Sequence, residues 1–112
     1  MTVTLRDRAK VGRTQFLAVI LAPQADGYPD TVASKAFLGG DAARAKAVAW
    51  AGKQMRAYAD SAANVYEQTW EPTEGYDHEY GRVLDADTVN VASCYGWRDN
   101  AGTVTWDEWE PA

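Results

Sequence analysis

The period of the apolar residues changes once along this chain, and the change limits the folds open to it. From Ala42 to about Ser61 apolar residues recur at 3.6-residue spacing: Ala47, Val48, Ala51, Met55, Tyr58, Ala59 and Ala62 fall on one helical face. Lys46, Lys53, Arg56 and Asp60 lie opposite, and Arg44 sits on the apolar side near the start, where its stem can cover core and its head reach water. After Asn64 the period becomes two, with Val65, Glu67, Thr69 and Glu71 alternating with Tyr66, Gln68 and Trp70. Asp41, after Gly39-Gly40, is placed to cap the helix. Gly52 lies at the edge of the apolar face, where close packing is one reason for a glycine.

The helix is flanked by strand signals. Thr2–Arg6 alternates and reads as a short first strand. Thr14–Ala22, with the apolar run Phe16–Ala22, reads as a central strand, and Thr31–Leu38 as its hairpin partner across a Pro/Gly loop. The basic residues before Phe16 imitate a secretory leader, but the apolar run is short and no clear A-x-A site follows. Pro72 to Gly81 reads as a long acidic loop. Arg82–Asp85 and Thr88–Trp97 read as two strands joined by a tight turn at Asp85-Ala86-Asp87. Thr103–Trp109 closes a hairpin after Asp99-Asn100-Ala101-Gly102. The expected fold is one α+β domain: an antiparallel sheet of about five to six strands with one main helix on one face.

Charge is divided between the two halves. Residues 1–56 hold nine Lys/Arg and four Asp/Glu; residues 57–112 hold two Lys/Arg, twelve Asp/Glu and nine of the thirteen aromatics. Acid interleaved with aromatics marks a folded acidic surface, not a solvating tail. Such a surface repels nucleic acid and attracts basic grooves. Glu67 and Glu71 share a strand face, Glu74, Asp77 and Glu79 continue through the loop, Asp85 and Asp87 flank the turn, and Asp107 and Glu108 stand near the C-terminus. Two readings stand: an acidic stripe in place of a phosphate backbone, or a solvated acidic face. Trp106 and Trp109 point to opposite faces of a regular strand, so one joins the core. The other is either an exposed anchor ringed by acids or a cover for the sheet edge.

Chemistry-bearing motifs are sparse. His78, between Asp77 and Glu79, is the single histidine and reads as a solvated loop residue; a hydrolase or lyase centred on it is the weaker alternative. The acids lack the ordered calcium-loop pattern, so no metal or cofactor is expected. Cys94 excludes an intrachain disulfide, points to a reducing compartment, and reads as a small buried hydrophobe. Gly39-Gly40-Asp41 lacks the spacing of a phosphate loop and reads as a strand-to-helix turn. No stretch approaches the roughly 20 apolar residues of a membrane span.

In build, with one compact domain, one cysteine, no catalytic signature and the acidic face Glu67, Glu71, Glu74, Asp77, Glu79, Asp85 and Asp87, the chain resembles phage-borne anti-CRISPR proteins of the DNA-mimic class. The resemblance is of type and aligns no motif. It implies a non-enzymatic inhibitor in the cytoplasm of a bacterial host. The implied partner is a basic nucleic-acid-binding complex, an RNA-guided effector blocked at its PAM-reading surface, with no direct binding to nucleic acid and no membrane contact. Asp107, Glu108 and Trp109 join the expected contact set. The alternative class is a structural or accessory phage protein that docks through its aromatic C-terminal hairpin.

Overall fold

A computed structural model describes residues 11–77 and 81–112, with side chains left undescribed at 73–77 and 81–85. The fold is α+β. Six antiparallel strands form one sheet: β1 (Thr14–Pro23), β2 (Pro29–Leu38), β3 (Ala62–Asp77), β4 (Gly81–Arg98), β5 (Val104–Trp106) and β6 (Glu110–Pro111). Their order is β2-β1-β3-β4-β5, and β6 pairs with β4 further along the same edge. The single described helix, α1 (Asp41–Ala57), packs on one face of this sheet.

Alternation in β1 sorts its side chains. Phe16, Ala18, Ile20 and Ala22 are buried under the helix, while Gln15, Leu17, Val19 and Leu21 face the other way and are half-buried. The helix answers with a stripe at four-residue spacing: Ala43, Ala47, Ala51 and Met55. Alanine favours the helix and lets its axis approach the sheet closely. Phe16, Ile20, Met55 and Val65 are the large apolar side chains with almost no exposure.

The helix is shorter than its period implied. Gly40, without a side-chain bond, is its cap, and Asp41 is its first residue. It stops at Ala57 because Tyr58 turns extended and Asp60 adopts a left-handed conformation. The Ser61 hydroxyl then lies within bonding distance of the Met55 and Tyr58 carbonyl oxygens, at 2.9 and 2.8 Å. Tyr58 is therefore half-buried beyond the helix end. Close packing does not explain Gly52, since a Cβ there meets nothing nearer than Arg56 Nη1 at 3.8 Å.

The larger correction lies in the C-terminal half. The expected loop Pro72–Gly81 is strand over its described residues: β3 runs on to Asp77, Gly81 opens β4, and the expected turn Asp85-Ala86-Asp87 lies inside β4, paired with Thr73, Pro72 and Glu71. Proline is tolerated there because β3 has lost its β1 neighbour and Pro72 lies on an open edge. One irregularity interrupts the ladder. Glu67 pairs with Ala92 and Gln68 with Asn90, so Val91 is an extra residue, a β-bulge. The Val91 carbonyl accepts a 3.0 Å bond from the Ala112 amide. The expected strand Thr2–Arg6 lies outside the described residues.

Candidate functional site

The long β3–β4 hairpin leaves the sheet. Gly12, at φ 82°, turns the chain into β1 and ends the shared ladder: its amide donates to the Trp70 carbonyl (2.8 Å), and the Trp70 amide donates to the Arg13 carbonyl (3.0 Å). Beyond that rung β3 and β4 pair only with each other, as far as Asp77 opposite Gly81. The result is a two-stranded arm about 20 Å long from Glu71 to Asp77 at ordinary strand rise. It lies on a molecule of 55 × 35 × 21 Å.

This arm holds the net charge. Residues 71–87 contain six Asp/Glu and one Arg, a net of −5 with histidine neutral, which equals the charge of the whole chain; the other residues hold ten acids and ten bases. At its root Glu71 sits directly opposite Asp87, and both are exposed. Like charges opposite one another in a ladder are destabilising, so this rung is one that a cationic partner would favour. The Asp87 carboxylate accepts the Thr88 amide at 2.8 Å. Asp85 is opposite Thr73 and Asp77 opposite Gly81, on the same alternation of the ladder as Glu71 and Asp87. Glu74, opposite Leu84, is on the other alternation. Glu79 and His78 lie outside the described residues.

The remaining expected contact residues are elsewhere. Glu67 is half-buried on the helix side of the sheet, opposite Phe16. Asp107 and Glu108 are exposed in the break between β5 and β6. The Asp107 amide bonds to the Tyr95 carbonyl (2.8 Å), seven rungs and about 23 Å of strand from the Glu71–Asp87 rung. Trp109 does not stand free on a regular strand. Its ring meets Phe16 edge-on at 6.1 Å, and the Arg44 guanidinium lies 4.1 Å from its centre. Trp106 also packs on the core, so the expectation of one inward and one exposed tryptophan fails. The reason is the end of β5 at Trp106, after which alternation no longer governs orientation.

Cys94 is buried, and its thiol donates to the Asp107 carbonyl at 2.9 Å. Burial pushes the thiol above its ordinary value of 9.0, with a smaller opposing effect from Arg44 and a smaller reinforcing one from Asp107. A protonated, covered thiol is a poor nucleophile. Lys46, Lys53 and Arg56 are exposed on the outer helix face. Among the described residues no group of three His, Cys, Asp or Glu can hold a metal, and no helix is long and apolar enough to cross a membrane. A cleft of about 510 Å³ opens at the base of the arm, lined by Arg13, Thr14, Leu38, Gly39, Gly40 and Trp70. Gly39, at φ 125°, makes the strand-to-helix turn there.

One surface escaped the sequence reading. Tyr95 and Trp97 stack at 6.0 Å on the sheet face away from the helix, and both are exposed. The signal was present as the two-residue alternation Ser93, Tyr95, Trp97. No protein-family model, curated protein or solved structure matches the chain.

Proposed function

We propose that this chain is a binding protein whose acidic arm enters a basic, nucleic-acid-reading groove of a partner. The observation that carries the reading is the concentration of the net charge on a projecting two-stranded ribbon. Over the roughly 20 Å from Glu71 to Asp77, one strand of B-DNA presents about six phosphates. Residues 71–87, both strands and their connection, hold six carboxylates and Arg82, so the charge over that length approaches that of one strand and falls short of a duplex. In its specific form the partner is an RNA-guided effector and the groove its PAM-reading surface, the site at which a phage inhibitor keeps out target DNA. Docking through an aromatic C-terminal hairpin is the weaker alternative, because Trp106 and Trp109 are both engaged with the core.

The test begins with capture of a partner from bacterial lysate at low and at high salt. Association should slow about tenfold or more as salt rises, since steering by exposed charge is screened. Reversing Glu71 and Asp87 to Lys should abolish capture and leave the fold intact, because both positions are exposed and the new pair repels no more than the acids it replaces. Duplex DNA and the protein should then exclude one another from the captured partner. Simultaneous binding of both at saturation overturns the reading.

A further inference from the structure

The sheet has a second face, and no described helix or strand lies over it. Four strands build it: β2, β1, β3 and β4. Its apolar members are Leu17, Val19 and Leu21 from β1, Tyr66 from β3, and Tyr95 and Trp97 from β4. A solvated face of an antiparallel sheet ordinarily carries polar and charged residues at alternate positions. This one carries no charge. Of the positions that alternation gives it within Ser34–Leu38, Gln15–Leu21, Ala62–Trp70 and Thr88–Trp97, none is Asp, Glu, Lys or Arg, in a chain that is 24% charged.

Four of its polar side chains are paired with one another. Gln15 Nε2 donates to Gln68 Oε1 at 2.8 Å, Gln68 Nε2 donates to Asn90 Oδ1 at 2.8 Å, and Trp70 Nε1 donates to Gln15 Oε1 at 3.2 Å. This amide chain crosses three strands and leaves Gln68 only 7% exposed. Amides bonded to each other lose less on removal from water than unpaired ones.

We infer that this face is the interface of a homodimer, with a second copy of the chain packed sheet against sheet. Two features favour a second copy as the occupant. An uncharged face offers nothing to a partner selected by charge, whereas in an isologous pair the same uncharged surface meets itself with no ion left desolvated. The charge that would resist association is on the arm, outside this face. The area is also sufficient. Taken over the full strands Pro29–Leu38 and Thr14–Pro23 and over Ala62–Trp70 and Thr88–Trp97, the face spans about 19 Å by about 30 Å, so two copies bury on the order of 1,100 Å², above the roughly 1,000 Å² that a specific interface requires. Aligned packing would give four layers, helix–sheet–sheet–helix, with the Tyr95–Trp97 stack in the buried layer.

Sedimentation equilibrium of the full chain tests the inference. The wild type should sediment as a dimer and hold or tighten its association at high salt, opposite to capture through the acidic arm. Tyr95→Lys should halve the mass at concentrations where the wild type is dimeric. Leu38→Lys, at a position 69% exposed on the same face, supplies a change that cannot act through loss of the core and should weaken the dimer in the same direction. A wild type that stays monomeric to about 1 mM overturns the inference. So does a dimer unaffected by both substitutions, which places the interface elsewhere, and so does a monomer whose Tyr95 and Leu38 variants lose a different protein.

Discussion

Gly96 has no side chain, and the Trp106 indole occupies the space where one would stand. A Cβ at Gly96 would lie 2.6 Å from that ring, and the two residues are direct partners in the β4–β5 ladder. The indole is held by the core, so it cannot swing aside as the tip of a lysine would. Gly96→Ala should therefore cost about 1–3 kcal/mol through overpacking, measured as a drop in unfolding midpoint. Trp106→Leu placed on top should recover part of the loss, which separates a clash from a change in strand propensity. A midpoint unchanged by Gly96→Ala would show that β5 yields instead. This contact was not legible in the sequence, where Gly96 is one small residue in an alternating run. The burial of Met55 and the position of Arg44 were legible, because both follow from helical spacing alone. Trp109 was misplaced because its orientation depends on where β5 stops, and that is decided by pairing with β4 at Gly96–Arg98.

At the level of elements, β1 and α1 follow closely from periodicity, since each buries one face and that face writes its own period, and β2 follows from the turn chemistry that precedes it. The arm does not. Beyond Trp70 neither face of the ribbon is covered by the helix, so nothing selects for alternation, and Pro72, Gly75 and the acids imitate a loop. What makes a ribbon of this segment is its ladder, a long-range property that composition does not display. The same independence from the core makes the arm removable. Replacing residues 71–87 with Asn-Gly joins Trp70 to Thr88, which already face each other across the ladder, through a two-residue hairpin turn. Ala86 is buried in the deleted segment, but it lies outside the core cluster. The shortened chain should keep its helical circular dichroism and unfold within about 1 kcal/mol of the parent. Its net charge should be zero, and partner capture should be lost while self-association remains. Loss of the dimer together with the arm would count against a separate role for the uncharged face.

Taken whole, the molecule keeps two kinds of surface apart: a ribbon with all the net charge, and a sheet face with none. The division between a basic first half and an acidic second half, visible in the sequence, is a coarse image of this. The finer partition needs the strand register, which assigns each residue of β3 and β4 to a face. The α+β class was legible because one helical stretch among strand patterns admits few arrangements. The bulge at Val91 sits three rungs before the arm leaves the sheet. A bulge bends its strand and tightens the local twist, so this residue sets the bearing of the arm with respect to the body. Its carbonyl is tied by the Ala112 amide, which links that bearing to the segment after β6. Removing Val91 would bring Asn90 and Ala92 into regular alternation without changing a single charge. Small-angle scattering should then record an altered maximum dimension at unchanged mass and helical content. Long-range attraction to a basic groove should survive with its salt dependence, while the bound complex becomes short-lived. A keyed partner needs the ribbon to arrive at the correct angle, and in this chain that angle is entrusted to one inserted valine.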